Sequence, residues 1–82
     1  MILVDVYVPS VGNTYDFQVN EDVCVSNIID EIVELVGQKE KTGLIGNTES
    51  LCLCTRKNKK ILNPKNTLLE YQVSNGDNLI LV

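Results

Sequence analysis

VCVSNIIDEIVELVG, residues 23–37, is the stretch in which apolar side chains recur with helical spacing. Val25, Ile28, Ile29, Ile32, Leu35 and Val36 fall at i, i+3, i+4, i+7, i+10 and i+11, which gathers them on one side of an α-helix. Asp30, Glu31 and Glu34 lie on the opposite side and face water. Gly37 follows the last apolar position, where a left-handed C-cap is expected to stop the helix. At the start, Asp22 and Ser26 are both suited to an N-cap. One amphipathic helix has nothing of its own to bury its stripe against, so the rest of the chain must supply the other half of a core.

The flanking sequence reads as strands. Residues 1–8 (MILVDVYV) alternate, with Ile2, Val4, Val6 and Val8 on one face and Leu3, Asp5 and Tyr7 on the other. A turn cluster with Pro9, Gly12 and Asn13 follows. Tyr15, Phe17 and Val19 then alternate with Asp16, Gln18 and Asn20, predicting an antiparallel hairpin. Beyond the helix, residues 38–50 are polar with two glycines and read as a loop, with Leu44 and Ile45 tucked back onto the core. Residues 51–55 predict a third strand, Leu51 and Leu53 on one face and Cys52 and Cys54 on the other. RKNKK, residues 56–60, is a basic turn with Asn58 suited to positive φ, and residues 61–62 make a very short fourth strand. Asn63-Pro64 breaks it, TLLEY (67–71) looks like one helical turn, Asn75-Gly76-Asp77 is a tight turn, and NLILV (78–82) is the last strand.

The order is ββαβββ. The first and last strands are the most apolar and should lie side by side and parallel at the centre of a mixed sheet, with the helix across one face. The fold class is α+β, a β-grasp, in a single domain over residues 1–82. At this size roughly 60–65% of the unfolded surface is buried and stability is of order 5 kcal/mol.

Composition excludes several function classes. Hydrophobic residues at 44% and charged residues at 22% are ordinary for a globular chain and unlike a disordered one. A net charge of −4 speaks against wholesale nucleic-acid binding. The charge is segregated: every charged residue before Lys39 is acidic, and all 7 basic residues lie between Lys39 and Lys65. That pattern predicts an acidic helix side and a basic hairpin end, which would orient a partner of complementary charge. Cys24, Cys52 and Cys54, an odd number, form no disulfide framework and fit a reducing compartment. The apolar N-terminus is short, is interrupted by Asp5 and lacks a basic flank, so it reads as neither signal peptide nor membrane span. The expected location is the cytoplasm.

No cluster announces a chemistry. The chain has no His, so neither Cys52 nor Cys54 has an evident base, and a zinc site lacks ligands. Asp30 and Glu34 are one turn apart with no partner in sight to shift a pKa, and read as a solvated face. GLIG (43–46) lacks the Lys-Ser/Thr of a phosphate loop, and the basic turn reads as solvated. The expectation is a protein that is not an enzyme, with no catalytic residue, cofactor, metal or small-molecule substrate.

The chain resembles ubiquitin over nearly its whole length, in spacing more than identity. Thr67, Leu68, Tyr71, Val73, Leu79 and Leu81 fall on ubiquitin's apolar and turn positions up to the last strand, and the run from Phe17 and Val19 to Val25, Ile28 and Ile32 keeps its strand-to-helix spacing. These are core positions, which speak for fold more than function. The Gly76-Asp77 turn before Leu79 and Leu81, with the helix pattern Val25-x-Asn27-Ile28-Ile29, is similar to the YukD/EsaB family, bacterial ubiquitin-like proteins of type VII (WXG100, ESX-like) secretion systems. The resemblance implies a cytoplasmic accessory or regulatory component without conjugation activity. Modifiers and sulfur carriers of this fold end in Gly-Gly, which residues 81–82 are not, so those roles are the alternative, together with a β-grasp domain excised from a larger membrane component of the machinery.

The site expectation follows from alternation. If Ile2, Val4, Val6, Leu79 and Leu81 point at the helix, then Leu3, Tyr7, Cys52, Cys54, Ile80 and Val82 point outward and form one apolar patch for a protein partner, possible secretion-machinery components included. Leu3 and Ile80 are expected to be adjacent and exposed. The acidic helix face of Asp30, Glu31 and Glu34 is the second candidate surface.

Overall fold

The computed structural model describes residues 1–40 and 51–82. The readings for Leu44 and Ile45, for the 43–46 segment and for most of the loop before the third strand lie outside the described residues. The elements are β1 (Ile2–Val8), β2 (Asn13–Val19), α1 (Val25–Glu40), β3 (Leu53–Thr55), β4 (Lys60–Ile61) and β5 (Asn78–Leu81). The strands form one sheet in the order β2-β1-β5-β3-β4. β1 and β5 are parallel, and the other neighbours are antiparallel. This is the expected mixed sheet, with β5 in the middle.

Alternation decides which side of the sheet receives the helix. Val4, Val6, Val8, Leu79, Leu81 and Leu53 are buried beneath Val25, Ile28, Ile29, Ile32 and Val36 of α1, with Leu62, Leu68 and Val73 closing the rim. Leu35, expected in the stripe, is 41% exposed. At 100° per residue it lies about 80° around the helix from Val25, against about 20° for Ile32 and Val36, so it falls off the edge of the contact. The helix also runs through Gly37 to Glu40 rather than stopping there. Gly37 is not among the positive-φ glycines of the described residues, which are Gly12 at 68° and Gly76 at 90°. A glycine permits a left-handed cap but does not impose one.

The start of α1 is capped by distant backbone. The Val25 N–H donates to the Asn66 carbonyl at 2.8 Å and the Ser26 N–H to the Pro64 carbonyl at 3.1 Å. Orphan donors of the first turn are therefore met by the segment that links β4 to β5. That segment is itself organised locally. Thr67 and Glu70 form a reciprocal capping box, the Glu70 N–H donating to Thr67 Oγ1 and the Thr67 N–H to Glu70 Oε1, both at 3.2 Å. The Tyr71 hydroxyl accepts from the Asn63 N–H at 2.9 Å and pins the turn to the end of β4.

Further details differ from expectation. β3 is confined to Leu53–Thr55, although Cys52 and Val82 extend its pairing with β5 through two backbone bonds of 2.6 and 2.9 Å. β4 is Lys60–Ile61, which leaves Leu62 to turn inward as a core residue. In the basic turn, Lys59 and not Asn58 takes the positive φ, at 51°.

Candidate protein-docking face

The face of the sheet away from α1 is built by strand register. Tyr7 of β1 pairs with Thr14 of β2 on one side and Ile80 of β5 on the other. Ile80 pairs in turn with Cys54 of β3, and Cys54 with Ile61 of β4. Thr14, Tyr7, Ile80, Cys54 and Ile61 therefore form one row across all five strands. Cys52 and Val82 are bonded to each other one pleat further along. Tyr7 is 37%, Val82 53% and Ile61 65% exposed, while Ile80, Cys52 and Cys54 are half-buried. Large apolar side chains thus stand in water on a contiguous strip, the kind of surface that docks another molecule.

Of the six residues expected on this face, Tyr7, Cys52, Cys54, Ile80 and Val82 come together. Leu3 is outward and exposed but does not join them. It lies four residues from Tyr7 on the same strand, roughly 13 Å away at 3.3 Å per residue, with Asp5 between them. The expectation that Leu3 and Ile80 are neighbours is therefore corrected: parallel pairing sets Ile80 beside Tyr7. Leu3 instead meets the turn before β5, its N–H donating to Asn75 Oδ1 and its carbonyl accepting the Gly76 N–H, both at 2.7 Å. Ile80 is also less exposed than expected, because Tyr7 and Cys54 flank it. Sequence reasoning missed Ile61. A strand of two residues has too little alternation to assign a face, and only the Cys54–Ile61 register supplies it.

The neighbouring outward row is charged. Asp16 pairs with Asp5, Asp5 with Asn78, and the Arg56 N–H donates to the Asn78 carbonyl at 3.1 Å, which carries the ladder one residue past β3. Asp5 and Asp16 are cross-strand like charges. A hydrogen bond between their carboxyls raises the Asp5 pKa, with partial burial and the Asp16 charge adding to the effect. Asp77, at the entry to β5, is shifted the other way. Its Oδ2 accepts the Ser74 N–H at 2.9 Å, which chiefly lowers its pKa, and Lys57 Nζ stands 3.5 Å away. The Cys54 thiol is pushed up by burial and then by the nearby Cys52. That direction makes it a poorer nucleophile. Among the described residues no group of three or more His, Cys, Asp and Glu is placed to hold a metal ion. Among them, too, no helix is long and apolar enough to cross a membrane.

At the β3–β4 edge, on the helix side, Thr55, Lys60, Leu62 and Tyr71 are among the residues lining a pocket of about 240 Å³. Lys60 Nζ lies 5.2 Å from the Tyr71 ring centre. Thr55 is buried, and its hydroxyl makes no hydrogen bond among the described residues.

The family model described as WXG100 protein secretion system (Wss), protein YukD, matches residues 2–81. The chain belongs to the YukD family. No curated protein matches it. Solved structures place the YukD-family fold among ubiquitin-like domains. It is similar to the N-terminal ubiquitin-like domain in the 4931431F19Rik protein, with TM-score 0.77 and 21% identity, covering 99% of this chain and 72% of that one. A computationally designed protein based on human erythrocytic ubiquitin gives TM-score 0.75 and 26% identity over 100% of this chain and 90% of that one. The ubiquitin-like domain of an Arabidopsis thaliana protein gives 0.74 and 20% over 99% and 74%. The resemblance read from the Gly76-Asp77 turn and the helix pattern is thereby borne out. Gly76 adopts a φ of 90° and hands its N–H to β1, while Asp77 closes the turn on Ser74.

Proposed function

We propose that this YukD-family protein is a non-catalytic interaction module, a single ubiquitin-like domain over residues 1–82. On this reading it serves as a cytoplasmic accessory or regulatory component of a WXG100 (type VII) secretion system and is not conjugated to targets. The observation that carries the docking role is the exposed apolar row of Tyr7, Ile80, Cys54 and Ile61 with Val82 beside it. The match over residues 2–81 supplies the setting. The raised Cys54 pKa and the lack of any His in the chain support a role without nucleophilic chemistry. Three free thiols suit a reducing compartment.

The test is complementation. In a cell with its own WXG100 system and this gene deleted, the wild-type chain is expected to restore export of the WXG100 protein. Ile61→Asp combined with Val82→Asp, at two well-exposed positions, should fold normally yet fail to restore it. Full complementation by the folded double variant would move the docking site to the acidic helix face of Asp30, Glu31 and Glu34, all exposed. Intact-mass analysis after incubation with ATP and lysate should return the unmodified chain. A thiocarboxylate or a conjugate ladder would favour the modifier or sulfur-carrier role instead.

A further inference from the structure

The outward face is self-complementary, and we propose that its occupant, when no other partner is bound, is a second copy of the same chain, related by a twofold axis along β5. The inference rests on the outer face being the docking surface. It goes further in naming the partner and the arrangement.

β5 is the middle strand, with β1 and β2 on one side and β3 and β4 on the other. A 180° rotation about an axis parallel to β5, lying just above the face, stacks two sheets in the aligned fashion, about 10 Å apart. That operation keeps each outward row opposite itself and reverses its order. In the apolar row Ile80 meets Ile80 of the second copy, Tyr7 meets Cys54, and Thr14 meets Ile61. In the charged row Asn78 meets Asn78, Asp5 comes over Arg56, and Asp16 comes over the turn that carries Lys59.

Charge complementarity argues for this occupant. Within one copy Asp5 and Asp16 face each other as like charges. Arg56 and Lys59, both exposed, have no carboxylate within ion-pair distance among the described residues, whereas Lys57 is already placed near Asp77. The acidic half of the row thus lacks a cation and the basic half lacks an anion. The twofold rotation supplies both at once, twice over, which is how an isologous interface works. The apolar row supplies a dehydrated centre and the charged row sets the orientation.

Sedimentation equilibrium of the full chain tests this, from micromolar to about 1 mM protein. A monomer–dimer equilibrium is expected, weakening as salt rises from about 0.05 to 0.5 M, since exposed charges are screened. Asp16→Lys alone and Lys59→Glu alone should each weaken dimerisation at least tenfold. Mixed in equal amounts, the two variants should associate with each other about as strongly as wild type with itself, because every swapped charge again meets its opposite. Asp16 is exposed on an edge strand and Lys59 is exposed in a turn, so both should fold. If either does not, Asp5→Lys with Arg56→Glu, the other facing pair, takes the place of both in the same scheme. A chain that stays monomeric at 1 mM overturns the proposal, as does a mixture that fails to recover the dimer. A monomer whose Ile61→Asp, Val82→Asp variant still loses WXG100 export would overturn the dimer while leaving the docking role standing. A dimer with full complementation by that variant would do the reverse.

Discussion

Thr55→Val should stabilise the protein. Thr55 sits on β3 with its side chain on the helix side, 7% exposed, and its hydroxyl has no hydrogen-bond partner among the described residues. A buried hydroxyl without a partner forgoes its bond to water on folding, at a cost of about 1–3 kcal/mol. Valine has nearly the same shape and carries no such group. The chain loses the unmet polar atom and gains a buried methyl. Taking the low end, about 1 kcal/mol, the melting temperature of a domain this size rises by about 4–8 °C. Far-UV circular dichroism melts and urea titrations measure this, and an unchanged urea slope would show that the unfolded state is not the source. Thr55→Ser is the control. It keeps the orphan hydroxyl and removes the buried methyl, so it should lose about 1 kcal/mol. If Thr55→Val melts at or below the parent, the hydroxyl is satisfied in solution and the reasoning fails.

Two further expectations concern the helix and the carboxylate pair. Ile32 is fully buried and Leu35 is 41% exposed, so Ile32→Ala should cost about 2–5 kcal/mol and Leu35→Ala less than about 1 kcal/mol, as read by chemical denaturation; similar losses at both positions would mean that the helix is rotated from its described facing. The Asp5 pKa is raised by Asp16, so the folded state binds a proton more tightly than the unfolded chain, and this pair favours folding at pH below the carboxylate range and disfavours it as pH rises through the raised value. Asp16→Asn should therefore melt higher than wild type at pH 7, with the gain shrinking as pH falls through the raised Asp5 value and levelling off below the ordinary carboxylate value of about 3.9. Thermal melts from pH 7 to pH 3 check it, and a gain that grows on acidification would refute the cross-strand coupling.

The sequence by itself determined the elements and their inner faces. Alternation in residues 1–8 and 78–82 and the helical recurrence from Val25 to Val36 are local facts of spacing, and burial follows from them: Val4, Val6, Ile28, Ile32, Leu79 and Leu81 are all in the core. The parallel neighbours β1 and β5 were legible as well, because the two most apolar strands are those that the sheet buries deepest. Local spacing within a strand does not say which residues of a neighbouring strand it faces. Register decided that Ile80 lies beside Tyr7 and away from Leu3, that Ile61 joins the outward strip, and that Asp5 and Asp16 face each other. The helix ends were likewise tertiary. Carbonyls of Asn66 and Pro64 serve the N-terminus in place of the local candidates Asp22 and Ser26, and Gly37 keeps a helical φ inside a helix that continues to Glu40. The fold could be read from one-dimensional periodicity because burial depends on which face a residue occupies. The candidate site could be read only in part, because a surface is made of residues from different strands, and hydrogen-bonded pairing alone fixes which of them meet.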